Sequence, residues 1–122
     1  MAGPSCPSDC NLHSKGLGFV PAQGKGSNGV LLLGEAPGAA EAKIGQPFRG
    51  PAGLMLGTLL HRLGLERDDF LITNRTLCKP PRDWMEGAPW ENSAVESCRP
   101  YFDQLLKVNP QIKVIMPLGN SA

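Results

Sequence analysis

The chain has no run of about 18 consecutive apolar residues, so no membrane-spanning helix is expected. It opens MAGPSCPSDC, without the basic start or apolar core of a secretory leader. The expected location is therefore the cytosol, of a prokaryote or of a virus's host. A charge excess is also missing: 12 Lys and Arg stand against 11 Asp and Glu, a net +1. That balance neither demands nor excludes nucleic acid, but a nucleic-acid surface must then gather its basic side chains on one face. Histidine is scarce. His13 and His61 are the only imidazoles, neither falls in a loop at the end of a predicted strand, and neither is given a role. There is no internal repeat. A phosphate-cradling loop is absent as well, because Gly24-Lys25-Gly26 has no Ser or Thr after the lysine and stands at the wrong distance from Gly18.

What remains, in 122 residues, is a single domain, residues 1–122, whose core is less secure than that of a 150-residue chain. Residues 1–29 are rich in Gly, Pro, Ser and Lys and read as an extended arm, ordered only if Cys6 and Cys10 anchor it. Residues 30–33 are continuously apolar, as in a strand buried on both faces. A Gly- and Pro-rich loop follows, and from residue 52 to about 63 Leu54, Leu56, Leu59, Leu60 and Leu63 recur at helical spacing, with Gly64 suited to the helix end. Residues 70–73 read as a second strand ending at Asn74, followed by a long loop to residue 92. Ser93 is a good N-cap with Glu96 as its capping-box partner. The helix then runs to about Val108, although Pro100 also allows a start near Arg99. Residues 112–116 form a third strand. Strand, helix, strand, helix, strand predicts a parallel sheet of right-handed βαβ units.

The stretch 34–53, GEAPGAAEAKIGQPFRGPAG, joins two carboxylates, Glu35 and Glu41, to one ring, Phe48, at the carboxyl end of the first strand. That is where an open α/β sheet places its ligand. Glu35 and Glu41 read either as acid/base or water-ordering groups or as solvated loop charges. Phe48 either pins the loop to the core or stacks on a flat ligand. Asn74 either reads a base edge with one donor and one acceptor or caps a turn. Four thiols, Cys6, Cys10, Cys78 and Cys98, can hold zinc or an iron–sulfur cluster, or can be unrelated.

Together these motifs resemble the family 4, iron–sulfur type of uracil-DNA glycosylase. That family reads G-E-A/G-P-G, then E-D, then G-x-P-F-x-G-x-A-G; this chain has GEAPG, EA and GQPFRGPAG. ITNRTLC at 72–78, CRPY at 98–101 and VIMPLGNSA at 114–122 continue the match. The resemblance implies a three-layer α/β/α fold with a short parallel sheet and hydrolysis of the N-glycosidic bond of uracil in DNA, as in base excision repair. It implies a structural 4Fe–4S cluster on Cys6, Cys10, Cys78 and Cys98, with zinc as the alternative. It implies that Phe48 stacks on the flipped uracil, that Asn74 reads its edge, and that Ala36, Glu35 and Glu41 line the same pocket, the two glutamates being the catalytic candidates. Uracil-containing DNA is the implied partner, with a monomer acting away from membranes.

The chain departs from the family pattern in three places. Cys6 and Cys10 have three residues between them where the family has two, and Ala42 replaces the Asp after the second Glu. The family's His-Pro-Ser segment is not present. The expectation is an N-terminal portion of a glycosylase with the C-terminal part of the fold missing, either active or a non-catalytic uracil- or DNA-binding module; a zinc-stabilised structural domain is the other reading.

Overall fold

The apolar run VLLLG forms β1, Val30–Gly34, and is buried except at its first residue. The computed structural model describes residues 19–119. In it β1 lies between β2, Leu71–Asn74, and β3, Val114–Pro117, in one parallel three-stranded sheet. The register sets Gly34 beside Asn74 and Leu33 beside Pro117. Successive side chains leave a strand on opposite faces. Leu31, Leu33 and Leu71 therefore pack together on one side with Cys98, Tyr101 and Leu105, and Leu32 and Ile72 pack on the other with Leu60 and Phe70. The first group of partners belongs to a long helix and Leu60 to a shorter one, so the sheet is sandwiched between two helical layers, the α/β/α arrangement that the family resemblance implies.

Among the described residues three α-helices accompany the strands. α1 is Ala39–Ile44, α2 is Pro51–Arg62 and α3 is Glu91–Val108. α1 was expected to be loop. Its alanines favour helix, Gly38 stands at its N-cap, and Gly45, at φ 82°, closes it in the left-handed region that suits glycine. α2 falls where the leucine spacing puts it. Of its leucines, however, Leu60 is buried, whereas Leu54 and Leu59 are 74% and 51% exposed. α3 starts before Ser93, with Trp90 as N-cap, and it runs through Pro100 without a break. Its buried residues Ala94, Cys98, Tyr101 and Leu105 follow helical spacing. That packing outweighs the one hydrogen bond that proline removes.

Both outer strands are edge strands, but they are covered differently. Every residue of β2 is buried and every residue of β3 is exposed. Residues 19–25 run along β2 and its flanks. Gln23 exchanges backbone hydrogen bonds with Ile72 at 2.9 and 2.8 Å, and the Val20 N–H donates to the Leu77 carbonyl at 2.7 Å. The buried Tyr101 hydroxyl accepts from the Ala22 N–H at 3.0 Å. This part of the arm is thus held by the sheet edge and α3, where the sequence suggested cysteine anchoring. Cys6, Cys10 and His13 lie outside the described residues. Among the described residues no helix is long and apolar enough to cross a membrane.

Candidate active site

The carboxyl ends of β1 and β2 create the site. The Arg75 N–H donates to the Gly34 carbonyl at 2.7 Å, and the Thr76 N–H and Oγ1 donate to the Glu35 carbonyl at 3.1 and 3.2 Å. These bonds keep the two strand ends parallel as they leave the sheet. Above them lies a cavity of about 300 Å³, lined among others by Glu35, Ala36, Glu41, Phe48, Asn74 and Leu118. The structure thus brings together all five non-cysteine residues singled out in the sequence, including pairs 39 positions apart such as Glu35 and Asn74.

Gly34 makes this convergence possible. A β-carbon there would lie 2.4 Å from Asn74 Oδ1 and 2.6 Å from Phe48 Cζ. A side chain there would push the amide and the ring apart, so a glycine at the end of the strand lets the two meet. Asn74 is 6% exposed, an amide held in a nearly dry wall. Phe48 is half-buried and packs on the cluster of Leu32, Leu60, Phe70 and Ile72 while also facing the cavity. Pinning the loop and lining the cavity are therefore both properties of this ring.

Phe48 sits at φ 54°, a left-handed conformation costly for an aromatic residue. Two side chains brace it. The Glu41 carboxylate accepts the N–H groups of Arg49 and Gly50 through Oε2 at 2.8 and 2.6 Å, and that of Gly38 through Oε1 at 2.9 Å. On the other flank, Arg67 Nη1 donates to the Phe48 carbonyl at 3.0 Å and Nη2 to the Pro47 carbonyl. Arg67 escaped the sequence reading. A lone arginine ahead of a strand carries no spacing signal, and its acceptors are backbone atoms about twenty positions away.

The two carboxylates are now distinguishable. Burial pushes the Glu41 carboxyl up, but the N–H groups of Gly50, Arg49, Glu41 itself and Gly38 more than offset it, and its pKa lies below the usual carboxylate value. Such a group holds a proton poorly and is already supplied with donors. Glu35 lines the same cavity, and among the described residues its side chain makes no hydrogen bond or ion pair.

Cys78 and Cys98 are 3% and 4% exposed. Cys78 packs with Ala94, one turn before Cys98 on α3, and Phe19 packs against the clusters of both cysteines. Phe19 also pairs with Cys78 across an antiparallel bridge, so the described chain enters beside that thiol. Among the described residues no group of three or more His, Cys, Asp or Glu forms a metal site.

The sequence profile of the uracil DNA glycosylase superfamily matches residues 21–122. The chain belongs to that superfamily. Among curated relatives, a type-4 uracil-DNA glycosylase of Pyrobaculum aerophilum is 39% identical over 87% of this chain and 52% of its own length. The enzyme of the same name from Archaeoglobus fulgidus is 39% identical over 93% and 54%, and that of Thermotoga maritima 35% over 93% and 56%. The chain thus spans about half the length of these glycosylases. The superfamily match covers the whole cavity wall together with Cys78 and Cys98.

Proposed function

We propose that this chain carries the uracil-recognition half of a DNA repair glycosylase, which hydrolyses the bond between uracil and deoxyribose. The observation that carries this reading is the meeting of Phe48 and Asn74 above Gly34. A flipped pyrimidine needs a ring to lie against and an amide to test its edge, and both are present in one cavity. Base–aromatic stacking is worth about 1–3 kcal/mol. The Asn74 amide offers a donor to a uracil carbonyl and an acceptor to the imide N–H, and the wrong base leaves this buried group unpaired. Flipping brings uracil to the pocket more readily where it is mispaired.

Bond cleavage builds positive charge on the sugar and negative charge on the departing base. Donors facing the uracil oxygens stabilise the latter, and a placed water completes the hydrolysis. Glu35, with its carboxylate uncommitted, is the residue to order that water. Glu41 shapes the pocket through the backbone of residues 38–50, and Ala36 keeps the floor beside the base low. Cys6, Cys10, Cys78 and Cys98 are the residues to hold a 4Fe–4S cluster: all are soft donors, two are buried on one side of α3, and Phe19 leads the arm to Cys78. When bound, the cluster supplies structural fixation of the arm.

The test is uracil release from a single-stranded oligonucleotide containing one deoxyuridine, measured beside binding to the same strand. Release supports the glycosylase reading. Binding without release reduces the chain to a uracil- or DNA-binding module, and the absence of both release and binding sinks the proposal. Anaerobic purification decides the metal: brown protein carrying iron and sulfide supports the cluster, and colourless protein with zinc replaces it.

A further inference from the structure

Resting on the assignment of Phe48 as the stacking ring, we propose that Arg67 is a positioning residue that sets the ring against Asn74. Its guanidinium spans two successive carbonyls, Pro47 and Phe48, as a fork. Those carbonyls lie on either side of Phe48, the one aromatic residue at positive φ among the described residues. A fork that holds both peptide planes fixes the backbone on either side of the Phe48 α-carbon, and hence the direction in which the ring leaves it.

The peptide after Phe48 is held on its other flank by Glu41, whose Oε2 accepts the Arg49 N–H at 2.8 Å. A β-carbon on Gly53 would lie 1.9 Å from the Phe48 carbonyl oxygen, so the start of α2 presses directly on the same peptide. Arg67 itself opens the 3₁₀ turn Arg67–Asp69 that leads into β2. That turn is tied down by the Lys25 N–H on the Asp68 carbonyl at 2.9 Å and the Asn28 N–H on the Asp69 carbonyl at 3.2 Å. Arg67 Nη2 also reaches Gln23 Oε1 at 3.5 Å, an acceptor shared with Arg49 Nη2 at 3.4 Å. β2 delivers Asn74. The base-reading amide and the base-stacking ring are therefore indexed to one element, the amide by strand register and the ring by the Arg67 fork.

Lysine at 67 keeps the charge and the stem but loses the planar fork, and methionine loses both. The experiment compares Arg67→Lys and Arg67→Met with wild type by the nuclear Overhauser contact between the Phe48 ring protons and the Asn74 side-chain amide, with phenylalanine selectively labelled, alongside free-uracil titration and thermal melting. In a folded Arg67→Lys protein the contact is expected to weaken or vanish, and uracil affinity to fall about tenfold, within what one lost base–aromatic stack allows. In a Phe48→Ala background the same Arg67→Lys change should cost no further affinity, because Arg67 acts through the ring. An unchanged contact in Arg67→Lys, or an affinity loss that adds fully to that of Phe48→Ala, overturns the proposal. Should Arg67→Met fail to fold, Arg67→Lys alone decides. Should wild type fail to bind uracil, the function proposed above falls, and the ring–amide contact still decides the role of Arg67.

Discussion

The segment that follows β1 carries one carboxylate in each of its two parts, and the two are held differently. The first half, residues 34–38, is held through its backbone: the Gly34 and Glu35 carbonyls accept from Arg75 and Thr76, and the Glu35 side chain is left to the cavity. The second half, residues 38–53, is held through side chains, Glu41 taking three N–H groups and Arg67 two carbonyls. Glu41 is thus surrounded by fixed donors, whereas Glu35 has no side-chain partner among the described residues. Two glutamates six positions apart in one Gly-rich stretch, Glu35 before α1 and Glu41 within it, thus differ in their surroundings.

The largest expected effect comes from breaking the side-chain-held half where it is tightest. Gly53→Ala forces a β-carbon onto the Phe48 carbonyl and should destabilise the protein by about 1–3 kcal/mol, read by chemical denaturation. Gly57→Ala, in the same helix α2 with nothing within 4 Å of the added carbon, should be neutral or stabilising by up to about 1 kcal/mol. Equal effects would mean that the loop does not press on α2.

Next is Glu41→Gln. One amide oxygen cannot serve the same donors as a carboxylate, and the expected loss at neutral pH is about 1–2 kcal/mol, the low end of charge-assisted bonding because the group is partly open to solvent. The pH dependence has a definite sign. The folded pKa of Glu41 is lowered, so its stabilisation is complete above the ordinary carboxylate value and is lost as pH falls through the folded value. The gap between wild type and Glu41→Gln should therefore close in acid; a gap that stays constant with pH would remove charge from the explanation.

The smallest expected effect on stability is that of Glu35→Gln, within about 0.5 kcal/mol of wild type, with the loss confined to uracil release. A drop in stability matching that of Glu41→Gln would erase the distinction between the halves.

Short apolar runs told most of the fold in advance. β1, α2 and β2 are each announced by a continuous or helically spaced apolar pattern, and the parallel order follows from their alternation. α1 was hidden because six residues with a glycine cap present too little pattern, and the true start of α3 because packing along Ala94, Cys98, Tyr101 and Leu105 overrides both Ser93 and Pro100. The cavity residues Glu35, Ala36, Glu41, Phe48 and Asn74 were recognisable from their motifs. Their division of labour was not, since it depends on which backbone N–H and carbonyl groups lie nearby. Arg67 shows this most clearly: its partners are carbonyls, which no sequence spells.

The most direct test of the central claim is calorimetric titration of wild type, Phe48→Ala and Asn74→Asp with uracil and with cytosine. Wild type should prefer uracil, Phe48→Ala should lose affinity by about 1–3 kcal/mol with a smaller loss of stability, and Asn74→Asp should set acceptor against acceptor and abolish the preference. Indifference of uracil binding to both substitutions would contradict the account.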